Sequence, residues 1–97
     1  MIAFKDLIFK DHPIGDGFKA SYVFDNEYEV SVVAGKFFYS TPRENLSSAE
    51  DYSGFEIAIF NKKGDYCTGE LCACSDDVVG YCSKTDISNL MEIAQQL

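Results

Sequence analysis

The sequence predicts an α+β domain: an antiparallel sheet of four to six strands with one C-terminal helix packed on a face. Three observations lead there. Short runs with apolar residues at every second position recur through the first two thirds of the chain. Clusters of Gly, Pro, Asn and Asp separate those runs at short intervals. The last residues then change to the apolar spacing of a helix. A chain of 97 residues, 46% apolar and 25% charged, suits one soluble globular domain over residues 1–97 with room for a single core. Aromatic residues make up 14%, all Phe and Tyr, so a few large rings are expected to dominate that core.

The elements follow in order. Phe4-Lys5-Asp6-Leu7-Ile8-Phe9 is mostly apolar and fits a first strand, and His12–Gly17, with one proline and two glycines, reads as a loop. Phe18–Phe24 places Phe18, Ala20, Tyr22 and Phe24 on one face, and Asp25-Asn26-Glu27 is turn chemistry. Tyr28–Val33 then alternates Tyr28, Val30 and Val32 against Glu29, Ser31 and Val33, which completes a hairpin. Ala34-Gly35 interrupts the run, and Lys36–Ser40 resumes it as a strand or as its continuation past a bulge. Thr41–Gly54 is a polar connection of fourteen residues, long for so small a domain, and is therefore expected to be functional or mobile. Phe55–Phe60 is a strong strand, Asn61–Asp65 a turn, and Tyr66–Cys74 is expected to return antiparallel to that strand. Ser83, with Asp86 three positions on, forms a capping box for a helix over Thr85–Leu97. Ile87, Leu90, Met91 and Ala94 give it one apolar stripe, extended by Leu97, to cover the sheet.

Charge is unevenly spread. Glu44–Leu97 holds ten acidic residues against three basic ones, while the first 43 residues are nearly balanced at six against five. The net charge of −8 and pI near 4.4 repel phosphate backbones and anionic lipid and favour a Lys/Arg-rich partner. Direct nucleic-acid binding and membrane insertion are accordingly not expected. Met1–Asp6 meets charge too early for a secretory signal, which predicts a cytoplasmic protein with reduced thiols.

No catalytic constellation stands beside this charge, so the sequence reads as a non-enzyme without a cofactor. The only imidazole, His12, sits at a strand-to-loop junction, and no nucleophile motif or phosphate-cradling glycine loop is present. Cys67, Cys72, Cys74 and Cys82 fall within sixteen residues, but their C-x4-C-x-C-x7-C spacing differs from paired C-x2-C knuckles. They read as buried free thiols, with a cysteine-based zinc module as the alternative. The carboxylate groups Glu50/Asp51, Asp76/Asp77 and Asp25/Glu27/Glu29 are solvated surface charge by default, and a DNA-mimicking surface is the further alternative. Glu44, Glu50, Asp51, Asp76 and Asp77 are the candidate charge contacts for a protein partner. Tyr39, Tyr52 and Tyr81, beside polar or acidic segments, are the candidate aromatic anchors. A homodimer through an exposed strand edge stays open.

Ser31-Val32-Val33, Phe38-Tyr39-Ser40, Phe55-Glu56-Ile57-Ala58-Ile59, Cys67, and Asp76-Asp77-Val78-Val79-Gly80-Tyr81 before a short helix form a pattern. From Phe18 onward it resembles a group of small uncharacterised bacteriophage proteins. The chain departs from the group in its polar Asn45–Ser53 segment and in Cys72, Cys74 and Cys82. The resemblance carries no catalytic or binding residues across. What it implies is a context: a small acidic protein in the host cytosol that binds and disables a host protein, which the charge reading makes a basic one. Host takeover or anti-defence action, of an anti-CRISPR-like kind, would fall within it.

Overall fold

The computed structural model describes residues 1–14, 16–72 and 76–97. Five strands form one antiparallel sheet in sequence order: β1 Lys10–Asp11, β2 Phe18–Val23, β3 Glu29–Ala34, β4 Phe55–Phe60 and β5 Val79–Cys82. A short helix, α1 (Thr68–Cys72), lies between β4 and β5, and α2 (Lys84–Gln95) packs against β4, β5, α1 and a 3₁₀ turn at Phe4–Asp6. The α+β class, the strand number and the covering helix all agree with the sequence reading.

Register explains which side of the sheet is dry. Ala20 pairs with Val32 and Val32 with Ile57, while Tyr22 pairs with Val30 and Val30 with Ile59. Because side chains alternate across a strand, these rows share one face. Val30, Val32, Ile57 and Ile59 are fully buried there, and Ile87, Met91 and Ala94 of α2 close over the core. The opposite rows, Ser21–Ser31–Ala58 and Val23–Glu29–Phe60, form the mixed outer face. Helix α2 begins with the expected capping box, the Asp86 N–H donating to Ser83 Oγ at 3.1 Å and the Ser83 N–H to Asp86 Oδ2 at 3.0 Å. Leu97 is exposed and does not extend the stripe.

Three sequence-based elements differ. Phe4–Phe9 is not a strand. Its 3₁₀ turn lets the Phe4 and Phe9 rings both reach Phe55, at centroid distances of 5.0 and 5.6 Å, which an extended run could not do on one face. Lys36–Ser40 is not a strand either. The buried Ser40 hydroxyl accepts the Gly35 N–H at 3.1 Å and lies within bonding distance of the Gly35 and Pro42 carbonyls, drawing the segment into a compact loop. Finally, the expected Tyr66–Cys74 return is not a hairpin strand over its described part, Tyr66–Cys72, and its last two residues lie outside the described residues. After one bridge, Phe60 to Tyr66, the Thr68 hydroxyl accepts the Ile59 N–H at 2.7 Å and the chain turns into α1, leaving the edge of β4 near its start to β5. Thr68 thus stands in for a strand partner.

Removing that hydroxyl has a defined cost. Thr68→Val keeps the side-chain shape but leaves the buried Ile59 N–H without its acceptor. Unfolding in urea should show a loss of about 1–3 kcal/mol. A loss below about 0.5 kcal/mol would mean that another group satisfies this amide.

The polar Thr41–Gly54 connection is closed at its base by the Thr41 N–H to the Gly54 carbonyl, 3.0 Å, and by the Ser53 N–H to the Thr41 carbonyl, 2.9 Å. Its centre is tied to the core through Tyr52, whose hydroxyl donates to the Glu44 carbonyl and accepts the Leu46 N–H. It is a compact loop whose ends meet and whose own side chain packs beneath it.

Candidate functional site

The site grows out of an irregularity between β4 and β5. Phe55 pairs with Cys82 and Ile57 with Val79, so Glu56 alone stands opposite Gly80 and Tyr81, a β-bulge. Tyr81 takes a left-handed conformation, φ 57°, a state that costs a non-glycine residue on the order of 1 kcal/mol. The bulge frees the Tyr81 N–H from the ladder, and it donates instead to the Tyr39 carbonyl at 2.8 Å. Across the bulge, Glu56 Oε1 accepts the Tyr39 N–H at 3.1 Å. Both polar groups of the Tyr39 backbone are therefore held by the β4–β5 pair.

Gly80 makes this approach sterically feasible. A Cβ there would stand 2.4 Å from the Tyr39 Cβ, closer than two carbons can come. With that glycine in place the Tyr39 and Tyr81 rings lie 6.0 Å apart at 45°, and both are about half exposed, 48% and 56%. Together with the exposed Asp76 and Asp77 they line a pocket of about 350 Å³. The Arg43 guanidinium sits 5.2 Å from the Tyr39 ring centroid. Two ring faces and two carboxylates in one concavity form a place suited to a cation, through ring quadrupoles and direct charge. Arg43 is a cation of this chain's own already over the Tyr39 ring.

Of the sequence-predicted site residues, Tyr39, Tyr81, Asp76 and Asp77 come together here. Glu44, Glu50 and Asp51 are exposed on the Thr41–Gly54 loop, and Glu50 shares a separate cleft with Lys5 and Lys84. Tyr52 requires a correction. Its side chain is 1% exposed, packed at 6.2 Å from Phe55 and bonded through its hydroxyl, so it anchors its own loop and is not available to a partner. Glu56, Gly80 and Arg43 belong to the site and were not anticipated. A glycine inside a strand-like run, followed by an aromatic residue, was the one readable sign of the bulge.

The thiols and the imidazole have other surroundings. Cys67 and Cys82 are buried in the hydrophobic core. Burial pushes the Cys67 thiol up, aided by Glu70, and raises Cys82 to about 11, aided by Asp86 and Cys72. A thiol held protonated is a poor nucleophile. Among the described residues no three His, Cys, Asp or Glu side chains gather as a metal site, and Cys74 of the proposed zinc set lies outside the described residues. The His12 ring packs against Phe38, tilted by 39° at a centroid distance of 5.0 Å, and its Nδ1 accepts the Ile14 N–H at 3.3 Å, which is a structural employment. Among the described residues no helix is long and apolar enough to cross a membrane.

Comparison of this chain with protein-family models, curated proteins and solved structures gives no match.

Proposed function

We propose that this domain is a non-enzymatic binding protein of the small bacteriophage type, which captures a basic segment of a host protein and blocks that protein's own binding surface. The observation that carries the reading is the pair of half-exposed tyrosines, Tyr39 and Tyr81, lining one pocket with Asp76 and Asp77. Tyrosine offers a large contact area with little rotamer entropy to lose, and it is enriched where binding energy concentrates. The net charge of −8 adds long-range attraction for a Lys/Arg-rich partner and speeds encounter at low salt. In this arrangement an incoming guanidinium or ammonium group takes the Tyr81 face and the two aspartates, while the acidic surroundings steer it in. The partner is held by contacts already in place, so the domain has little ordering to do on binding.

The test is capture from bacterial lysate by the immobilised protein at low and high salt, compared with an Asp76→Lys/Asp77→Lys variant. The variant is expected to lose at least tenfold in affinity at low salt for a captured basic protein while unfolding at the same urea concentration as the parent. Equal capture by parent and variant would overturn the reading. Competition by duplex DNA for the captured partner distinguishes a blocked nucleic-acid site, the DNA-mimic form of the proposal, from a blocked protein-binding site.

A further inference from the structure

On another part of the surface the N-terminal segment, the start of α2 and the Thr41–Gly54 loop enclose a cleft of about 780 Å³ that the proposed capture does not use. Its floor is aromatic and aliphatic: Phe4, Leu7 and Phe9 all line it. The floor is preformed. Phe4, Phe9 and Phe55 make a mutual ring cluster with centroids 5.0 to 5.7 Å apart, and the Phe4 N–H is tied to Ser88 Oγ of α2 at 3.0 Å. The size lies within the usual range for small-molecule sites, and the walls come from separate stretches of chain, which makes a concavity and not a flat docking face.

The charge at its rim runs against the rest of the molecule. Lys5 and Lys84 line it with a single carboxylate, Glu50, in a chain that carries 16 acidic and 8 basic residues. The Lys84 ammonium stands 5.8 Å from the Phe4 ring centroid, at the boundary between the apolar floor and the rim. A cleft lined by apolar side chains and by two lysines is complementary to a molecule with an apolar body and one negative head. We propose that this cleft binds a small amphipathic organic anion, a carboxylate on an aliphatic or aromatic body, with the head at Lys5 and Lys84 and the body on Phe4, Leu7 and Phe9.

Decanoate below its micelle concentration serves as the probe, followed by NMR on the whole isotope-labelled chain, with decanol and decyltrimethylammonium as neutral and cationic controls of the same tail. Decanoate should produce saturable shifts at one site, confined to Phe4, Leu7, Phe9 and their neighbours, and should bind at least fivefold more tightly there than either control. Shortening the tail should weaken it by up to roughly fourfold for each methylene that is buried. Lys5→Gln/Lys84→Gln should weaken decanoate about five- to tenfold and leave decanol unchanged, since exposed charge pairs contribute modestly each. Glu50→Gln, an independent variant, should strengthen decanoate about twofold. The proposal is overturned if decanol binds as tightly as decanoate, if the lysine variant binds decanoate as the parent does, or if the shifts fall elsewhere. A concentration-dependent dimer whose own shifts map to these same residues would assign the cleft to a second copy of the chain and overturn it equally.

Discussion

Phe55→Ala is expected to cost the fold about 4 kcal/mol. Phe55 is fully buried at the start of β4, where it touches the rings of Phe4, Phe9 and Tyr52 at once. Those three rings belong to the N-terminal segment and the Thr41–Gly54 loop, so one ring joins the sheet to both coverings. Its removal leaves a cavity that rigid neighbours on three sides cannot readily fill. A domain of this size has on the order of 5–15 kcal/mol in total, so the variant should unfold at much lower urea, with an unchanged denaturant slope if the transition stays two-state. A loss below about 1.5 kcal/mol would show that the coverings do not depend on this cluster. The decanoate cleft should fail in the same variant, because Phe4 and Phe9 lose the ring they rest on.

Gly80→Ala is expected to disable the tyrosine pocket. The new Cβ meets the Tyr39 Cβ at 2.4 Å, and a Cβ cannot swing aside as the tip of a long side chain can. The Tyr39 backbone must lift, breaking the Tyr81 N–H bond to its carbonyl and straining the bond from its own N–H to Glu56. About 2 kcal/mol of stability should be lost, and capture of a basic protein should fall at least tenfold. Gly64→Ala is the matched control. Gly64, unlike Gly80, lies outside ordinary backbone space, φ 85°, and nothing stands within 4 Å of its Cβ position. That variant should lose about 1 kcal/mol from backbone strain and none of its capture. Capture retained in Gly80→Ala would separate the tyrosine pair from function.

Much of the fold was legible because it rests on local periodicity. The alternation in Tyr28–Val33 and Phe55–Phe60 announced β3 and β4, and Ser83 with Asp86 announced the start of α2 within a residue. The errors fall where a side chain replaces a regular backbone pairing. Thr68 takes the place of a strand beside Ile59, Ser40 folds the Lys36–Ser40 segment on itself, and Phe4 with Phe9 turns a strand-like run into a plug for Phe55. In each case the apolar pattern was real, and a side-chain contact that no strand period encodes decided its shape.

The candidate site divides in the same way. Residue type marked Asp76, Asp77, Tyr39 and Tyr81, yet by type Tyr52 was indistinguishable from the other two tyrosines. Its fate depends on where the Glu44 carbonyl and the Leu46 N–H come to lie, and only the closed loop places them under its hydroxyl.

By itself the sequence determined the α+β class, the alternating faces of β2 and β3, the capped helix and the acidic balance. Each of these follows from composition or from a repeat a few residues long. Tertiary structure alone decided which tyrosines face solvent, how Gly80 lets Tyr39 meet Tyr81, and why two lysines gather over an aromatic floor in an acidic chain. Those features are contacts between segments far apart in the chain, and no local period encodes which of them meet.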